Sequence, residues 1–149
     1  MEVIELKIKR LHKNAVLPEY GTKGAACFDI HCIEGGIVEA KDAAIFHTGL
    51  AFEIPEGWAM LIYSRSGHGF RHGVRLANTT GVIDSDYRGE LMVKLANDGG
   101  CAYTVEAGER IAQAMLIPVP AVNLEVVEEL SDTERGDNGL GSTGVVYLV

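Results

Sequence analysis

A chain of 149 residues fits a single domain and is long enough to bury a hydrophobic core. Hydrophobic residues make up 47% of it, which argues against a disordered protein. The net charge of −8 argues against general nucleic-acid binding, which depends on basic patches, so an anionic ligand would need local arginines or a metal ion.

The first half of the chain is predicted to form short β-strands separated by turns. Proline and glycine mark residues 17–24 as a loop and residues 55–57 as a turn. Residues 66–71 are the one segment expected to form a helical turn or two. Strands are predicted at residues 3–9, 25–32, 36–40, 44–54 and 58–63.

The second half continues in the same way and then changes character. Short strands at close spacing indicate an all-β sandwich, jelly roll or barrel. Residues 131–144 are polar and glycine-rich, so we expect a tail that is mobile without ligand, although a frayed terminus has the same composition. Residues 145–149 return to strong β-formers, which favours docking on a sheet edge or a neighbouring subunit. Strands are predicted at residues 75–77, 91–95, 103–106, 110–119 and 122–128.

The segment between Gly81 and Gly89 carries the densest functional signal. Residues 84–88 contain two carboxylates, an aromatic ring and an arginine, and strands are predicted on both sides. We therefore expect a hairpin with a charged rim, where β scaffolds often place binding and catalytic residues. The alternative is a solvated acidic loop.

Four other segments carry weaker signals. Asp29 lies in an apolar strand, where a carboxylate needs a cationic partner unless it faces solvent. Residues 64–67 combine a hydroxyl, a guanidinium and a possible helix start, which suit phosphate, although a helix cap with a surface arginine is the plainer interpretation. Gln113 follows a turn, and a structural role is its plainer interpretation. The glycines of residues 135–144 could bring backbone amides to phosphate oxygens, but the segment lacks the GK[ST] ending of a Walker A loop.

The cysteines and histidines suggest no metal or disulfide site. Cys27, Cys32 and Cys101 form no CxxC motif and are expected to be reduced thiols of a cytoplasmic protein. His68 and His72 could share a helical face, but no third ligand lies nearby, so zinc is not expected. The N-terminus has no signal-peptide pattern, and no apolar run is long enough to span a membrane.

Taken together and in order, these five segments resemble the five motifs of the trimeric dUTP diphosphatase (dUTPase) family. The resemblance runs from about Thr22 to Gly144. It implies a distorted jelly roll or β-barrel with one short helix, assembled as a homotrimer with active sites shared between subunits. We expect a β domain at residues 1–130 and a tail at residues 131–149 that closes over the active site.

The resemblance also implies a reaction. Members of the family cleave dUTP to dUMP and diphosphate with Mg²⁺ bound to the triphosphate, which limits uracil incorporation into DNA and supplies dUMP for dTMP synthesis. Asp84 matches the acid that orients and deprotonates the attacking water. Asp29 matches an acid near the catalytic site, and Gln113 matches a residue that holds the phosphates. Protein ligands of Mg²⁺ are not implied, because the ion is held mainly through the triphosphate and water.

The remaining matches concern substrate binding. Tyr87 matches the ring that packs under deoxyribose and excludes a 2′-hydroxyl, and Asn78 would read the uracil edge with backbone groups of the hairpin. Arg65 would hold the phosphates, and Arg135 would close over the γ end. The other residues implied in substrate binding are Ser66, Gly67, Gly81, Val82, Ile83, Leu140, Gly141, Ser142 and Thr143.

Two positions depart from the family pattern, and two other functions compete. Cys27 stands where the family usually has glycine, and Leu140 stands where it usually has the phenylalanine that stacks on uracil.

A dCTP deaminase would share the fold, but the hairpin and the tail favour dUTPase. A nucleotide-gated regulatory protein is the alternative from another class, and a second role with an unknown protein partner remains compatible with the sequence.

Overall fold

The computed structural model describes residues 3–140, Ser142 and Gly144. Short β-strands predominate, and a single helix of seven residues lies among the described residues. That helix is neither long nor apolar enough to cross a bilayer, and no other helix is described. The elements are β1 Lys7–Arg10, β2 Glu19–Tyr20, β3 Phe28–His31, β4 Gly36–Val38, β5 Ala43–Glu53, β6 Trp58–Tyr63, α1 Ser66–His72, β7 Val74–Leu76, β8 Thr80–Ile83, β9 Glu90–Asn97, β10 Tyr103–Val105 and β11 Arg110–Pro118.

The strands form three sheets in which every pairing is antiparallel. The four-stranded sheet has the order β1-β5-β9-β7, and the five-stranded sheet has the order β2-β3-β11-β6-β8. A two-stranded sheet pairs β10 with β4. This arrangement confirms the all-β jelly-roll prediction with one short helix.

One hydrophobic core lies between the two larger sheets. Strand β9 shows why: its alternate residues Leu91, Val93 and Leu95 are buried, and Met92 and Lys94 between them are exposed. Such period-2 alternation gives a strand one face for the core and one for solvent. The same core cluster contains residues of the five-stranded sheet, among them Ile30, Met60 and Ile111.

The hairpin prediction is right about the outer strands and wrong about what lies between them. Strands β7 and β9 do pair, with Leu76 opposite Leu95. However, residues 80–83 are not part of a rim. They form β8, which leaves this sheet and pairs with β6, so that Gly81 lies opposite Ile62. Only residues 84–89 form the turn between β8 and β9.

The strand predicted at residues 122–128 is wrong for the single chain. The described chain contains no strand after Pro118, and residues 119–140 are all exposed. Val122, Leu124 and Val126 are 72%, 89% and 100% exposed, so their β-forming side chains have nothing to pack against. A strand needs a neighbour for its backbone hydrogen bonds, and this segment pairs with no sheet edge among the described residues of its own chain.

The other predicted strands are present, although their ends differ from the prediction by up to four residues. The first strand begins at Lys7 rather than at residue 3, and the third begins at Phe28 rather than at residue 25. Residues 58–63 form β6 as predicted, and the helical segment extends one residue further, to His72. The prediction for residues 145–149 lies outside the described residues.

A bulge in β5 makes Gly49 a sensitive point of the scaffold. The pairing of β5 with β9 shifts register between His47 and Ala51, and Gly49 within that shift has a φ of 65°. A Cβ at Gly49 would lie 2.8 Å from the Cβ of His12 and 3.1 Å from that of Ala15. Both the backbone conformation and the space therefore require glycine.

Gly49→Ala should destabilise the protein by about 2–4 kcal/mol, because it adds a positive-φ penalty to an overpacked contact. Gly57→Ala is the matched control, since Gly57 has a φ of 79° but a methyl group there would have no heavy atom within 4 Å. The control should lose only about 1–2 kcal/mol. Thermal unfolding of both variants measures the difference. Equal losses would show that the contact with His12 and Ala15 is not a constraint.

Candidate active site

Asp29 lies between two arginines. Its Oδ1 is 3.2 Å from Nε of Arg65, and its Oδ2 is 3.2 Å from Nη1 of Arg110. The Asp29 side chain is only 13% exposed, so the two guanidinium groups supply the compensation that a largely buried carboxylate requires. Asp29 is thus a paired residue of β3 rather than a solvent-facing one.

Further hydrogen bonds tie the two arginines to one scaffold. The Nη1 of Arg65 donates to the carbonyl oxygen of Arg110 at 3.1 Å, and Nε2 of Gln113 donates to the carbonyl oxygen of Ser64 at 2.9 Å. Gln113 lies opposite Asp29 on one side and opposite Tyr63 on the other. Arg65 precedes α1 without a side-chain cap bond, so the interpretation as a capped helix with a free surface arginine is wrong.

This cluster has the charge to bind an anion. Two guanidinium groups and one carboxylate leave one net positive charge, and the guanidinium N–H groups not used by Asp29 or by the Arg110 carbonyl can donate to phosphate oxygens. Arg65 and Arg110 have side chains 25% and 51% exposed, so a ligand can reach both. Ser66 and Gly67 follow Arg65 directly as the first residues of α1.

Local bonds fix the turn between β8 and β9. The backbone N–H of Tyr87 donates to the Asp84 carbonyl at 3.2 Å, and the Tyr87 hydroxyl donates to the Glu90 carbonyl at 3.0 Å. A Cβ at Gly89 would collide with the Tyr87 ring, so glycine lets the ring fold back over the turn. The Asp84 carboxylate is exposed and has no hydrogen-bond partner within residues 3–140.

A groove runs along β8 to this turn. One cavity of about 340 Å³ is lined by Asn78, Gly81, Val82 and Ile83 together with residues of β9. A second cavity of about 230 Å³ shares Val82 and Ile83 with the first and reaches Asp84 and Tyr87. A Cβ at Gly81 would lie 3.1 Å from Ile62 and 3.7 Å from the Asn78 amide, so glycine keeps the floor of the groove open.

The predicted site residues therefore fall into separate groups within one chain. Asp29, Arg65 and Gln113 form one group, and Asn78, residues 81–84 and Tyr87 form another. In the five-stranded sheet β3 and β8 are three strands apart, about 14 Å. Across residues 3–140, no side-chain hydrogen bond or ion pair joins the Asp29 cluster to residues 78–88.

The tail forms a third group, whose side-chain hydrogen bonds among the described residues are local. Nε of Arg135 donates to the carbonyl of Asn138 at 2.8 Å, and Asn138 Nδ2 donates back to the Arg135 carbonyl at 3.1 Å. Leu140 and Ser142 are exposed and lie outside the groove. Gly141 and Thr143, which are also predicted to bind substrate, lie outside the described residues.

Sequence reasoning misses two residues that contact or adjoin the predicted site residues. Arg110 is indicated only as part of a motif, although it holds one oxygen of Asp29. Glu90 is not singled out at all. Its carboxylate accepts a hydrogen bond from His47 Nδ1 at 2.9 Å and from the Gly49 N–H at 2.8 Å. These bonds anchor the start of β9, directly after the turn at residues 84–89, to the bulge in β5. The only sequence signal for Glu90 is a charged residue at the start of an apolar strand.

A family model described as dUTPase matches residues 13–144. The chain belongs to the dUTPase family. A deoxyuridine 5'-triphosphate nucleotidohydrolase of Nautilia profundicola is 50% identical over 141 residues, which cover 95% of this chain and 99% of the relative. A protein of the same name from Helicobacter hepaticus is 43% identical over 97% of this chain and 92% of the relative. The family resemblance drawn from the five segments is confirmed.

Solved dUTPase structures have the same fold. A mutant dUTPase of Staphylococcus bacteriophage 80alpha with dUpNHpp superposes with a TM-score of 0.88 at 33% identity, covering 95% of this chain and 99% of that one. A mutant dUTPase from phage phi11 of S. aureus has a TM-score of 0.77 at 27% identity, over 84% of this chain and 97% of that one. That structure is described as showing the coordination of a structural Mg(II) ion.

The His47–Glu90 pair makes the stability of this site depend on pH. The hydrogen bond to Glu90 and its charge raise the pKa of His47 above 6.5. Burial alone would raise the pKa of Glu90, but hydrogen bonds from His47 and the Gly49 N–H outweigh it and leave the pKa below 4.5. The His47 contribution is therefore complete below pH 6.5 and is lost as the pH rises through the folded-state pKa. The Glu90 contribution is present above pH 4.5 and is lost in acid.

His47→Asn should lower the melting temperature more at about pH 5.5 than at about pH 8.5, because only the lower pH keeps the charged pair. His12→Asn is the control, since His12 has no carboxylate partner within residues 3–140. Thermal unfolding at both pH values measures the two differences. A pH-independent effect of His47→Asn would contradict a charged pair.

Proposed function

We propose that this chain hydrolyses dUTP to dUMP and diphosphate, as a cytoplasmic enzyme that lowers dUTP and supplies dUMP. The relatives at 50% and 43% identity are named for this activity. The observation that carries the proposal is the groove along β8, because it connects a cavity of about 340 Å³, which has room for a nucleobase, with an exposed, unbonded carboxylate at Asp84. The free thiols of Cys27, Cys32 and Cys101 fit a reducing compartment.

Base recognition is assigned to the groove. Asn78 can both donate and accept hydrogen bonds, and the backbone groups of Gly81, Val82 and Ile83 that face away from β6 can read the polar edge of uracil. A cytosine in the same place would present a donor where uracil presents an acceptor, which would leave buried groups unpaired. The Tyr87 ring next to the groove is assigned to the face of the deoxyribose.

Phosphate binding is assigned to the arginine cluster. Arg65 and Arg110 already hold the two oxygens of Asp29, so their orientation is set before a ligand arrives. Ser66 and Gly67 follow Arg65 and are assigned to the same phosphates, and Gln113 has a side-chain oxygen that accepts no hydrogen bond from the described residues. Asp29 holds the cluster together and is assigned a place beside the reacting phosphate.

Hydrolysis requires one proton transfer. A water oxygen attacks the α-phosphorus, its proton passes to the Asp84 carboxylate, and the bond from the α-phosphorus to the bridging oxygen breaks to release diphosphate. Asp84 suits this role because its carboxylate is exposed and accepts no hydrogen bond within residues 3–140. Most of the rate enhancement then depends on how the phosphates and the water are positioned.

The donor set fits Mg²⁺ bound through the substrate. No group of three potential His, Cys, Asp or Glu ligands converges among the described residues, so they provide no protein cage. Mg²⁺ commonly binds through one or two carboxylates, water and the phosphates of a nucleotide. The triphosphate held by Arg65, Ser66 and Gln113 would carry the ion, which neutralises phosphate charge when bound.

We further assign a homotrimer with shared sites. The arginine cluster and the groove lie in separate parts of the chain, and the exposed segment at residues 122–128 has β-forming apolar side chains without a partner among the described residues. A larger apolar cavity of about 590 Å³, lined by Ile8, Phe28, Trp58 and other residues near β1 and β2, is where that segment of a neighbouring chain would pack. Beyond it, Arg135 and residues 140–143 would close over the γ-phosphate and the base of a neighbouring site.

Product analysis tests the function. Diphosphate release should be much faster from dUTP than from dCTP, dTTP, dATP, dGTP or UTP, and should depend on Mg²⁺. Ammonia release from dCTP would instead identify a deaminase. Absence of diphosphate release from dUTP in the presence of Mg²⁺ would contradict the proposal.

Asp84→Asn should lower kcat by about 100-fold or more, because the amide has the shape of the carboxylate but cannot take a proton. Binding of dUpNHpp should change little. Asp86→Asn is the matched control, since Asp86 lies in the same turn and is also exposed. Steady-state kinetics on both variants decide the matter: a kcat within about tenfold of wild type would exclude Asp84 as the general base.

Tyr87→Ala should relax the preference for deoxyribose, since removal of the ring opens space beside the groove. Tyr87→Phe keeps the ring and loses only the 3.0 Å hydrogen bond to the Glu90 carbonyl, so it should keep the preference. The ratio of kcat/KM for dUTP and UTP measures the effect. If that ratio is the same in Tyr87→Ala as in wild type, another residue excludes the 2′-hydroxyl.

A further inference from the structure

One carboxylate, that of Glu109, joins three parts of the fold. Its Oε1 accepts hydrogen bonds from Nε2 of His68 and from the Tyr103 hydroxyl, both at 2.7 Å. Its Oε2 accepts the backbone N–H of Glu106 at 2.8 Å. Helix α1, strand β10 and the turn before β11 are therefore held by the same side chain.

His68 is built into this network. Its side chain is 8% exposed, and its ring packs edge-on against that of Tyr103 with centroids 5.5 Å apart. The Nε2 atom must carry the proton of this hydrogen bond, because the ionised Glu109 carboxylate can only accept. The Nδ1 atom is buried and has no partner within the described residues, so the bond to Glu109 is the one side-chain hydrogen bond of His68 there.

The protonation states agree with this pattern of donors and acceptors. Burial and the hydrogen bond to Glu109 raise the pKa of Tyr103 to about 12, so its hydroxyl remains a donor. Burial alone would raise the pKa of Glu109, but the hydrogen bonds from Tyr103, the Glu106 N–H and His68 lower it below 4.5. Glu109 therefore remains an acceptor at neutral pH.

The network adjoins both arginines of the phosphate cluster. Glu109 is the residue before Arg110, and His68 lies three residues after Arg65, in the first turn of α1. Nη1 of Arg65 also donates to the carbonyl of Arg110. A bond between His68 and Glu109 thus fixes the start of α1 relative to the start of β11, and with it the separation of the two guanidinium groups.

We propose that His68, Glu109 and Tyr103 are positioning residues that set Arg65 and Arg110 at the spacing required by the substrate triphosphate. The inference rests on the proposed function, because it concerns the same phosphate cluster. The three residues touch no substrate themselves. They act by holding two elements in register, so their loss should affect the triphosphate and not the nucleoside.

The test compares two ligands and four variants. Binding of dUpNHpp and of deoxyuridine is measured by calorimetry on the full-length protein. His68→Leu removes the donor, His68→Gln keeps an N–H near the position of Nε2, and Tyr103→Phe removes the second donor but keeps the ring. His72→Leu is the matched control. His72 is on the same helix and its ring packs against that of Tyr103, with centroids 4.9 Å apart, but it makes no hydrogen bond to Glu109.

His68→Leu should weaken dUpNHpp binding about tenfold and leave deoxyuridine binding unchanged. His68→Gln should restore most of the loss, Tyr103→Phe should show a smaller loss of the same kind, and His72→Leu should match wild type. If His68→Leu does not fold, the comparison of Tyr103→Phe with wild type carries the test alone.

Three outcomes would overturn the inference. Equal weakening of both ligands would mean a general structural role, and unchanged dUpNHpp binding in His68→Leu and Tyr103→Phe would mean that the arginines are set without the network. Either result, with wild type binding dUpNHpp, leaves the proposed function standing. A wild-type protein that binds no dUpNHpp would overturn the proposed function together with the inference.

Discussion

The contact on which the site depends is the double ion pair of Asp29. Each carboxylate oxygen lies 3.2 Å from one guanidinium group, and the carboxylate is largely removed from solvent. Without Asp29, two like charges would face each other with nothing between them. Without either arginine, a largely buried carboxylate would be left with one partner, and loss of a partner from a buried pair is strongly destabilising. The cluster of Asp29, Arg65 and Arg110 is therefore stable only as a three-residue unit.

The order of the five-stranded sheet explains how this unit and the groove along β8 come from one scaffold. Asp29 is on β3, Arg110 and Gln113 are on β11, Arg65 follows β6, and Gly81 is on β8, in the order β3-β11-β6-β8. Strand β6 contributes to both the cluster and the groove, because Arg65 follows its last residue and β8 pairs along its length. The same order also separates Asp29 from β8 by three strand spacings, which is the observation behind the proposal that a site is shared between chains.

Much of this could be predicted from local sequence patterns. Residues 58–63 are a continuous apolar run between a proline-glycine turn and polar residues, and β6 has those bounds. The order of the five motifs indicates the family, which the match over residues 13–144 confirms. These predictions succeed because turn residues and apolar runs act over a few neighbouring positions.

The misses have a common physical cause in partners that are distant in sequence. The local sequence pattern places residues 80–83 in a hairpin rim, because it does not reveal that β8 pairs with β6. The pattern also does not connect Arg110 with Asp29, because the two are 81 residues apart. Residues 122–128 have strand-forming side chains but find no partner within the described part of their own chain. Local pattern indicates what a segment can form, and the available neighbour decides whether it does.

The claim that the arginine cluster of one chain serves the groove of another is tested most directly by mixing two inactive variants. Arg65→Ala disables the cluster, and Asp84→Asn disables the groove. The two variants are mixed in equal amounts, unfolded and refolded together. If trimers assemble at random and share their sites, about three quarters of them are mixed, and each mixed trimer has one intact site of three. The mixture should therefore recover about a quarter of wild-type activity. Each variant refolded alone should remain inactive. No recovery in the mixture, with mixed trimers shown by mass spectrometry, would contradict the shared site and place cluster and groove within a single chain.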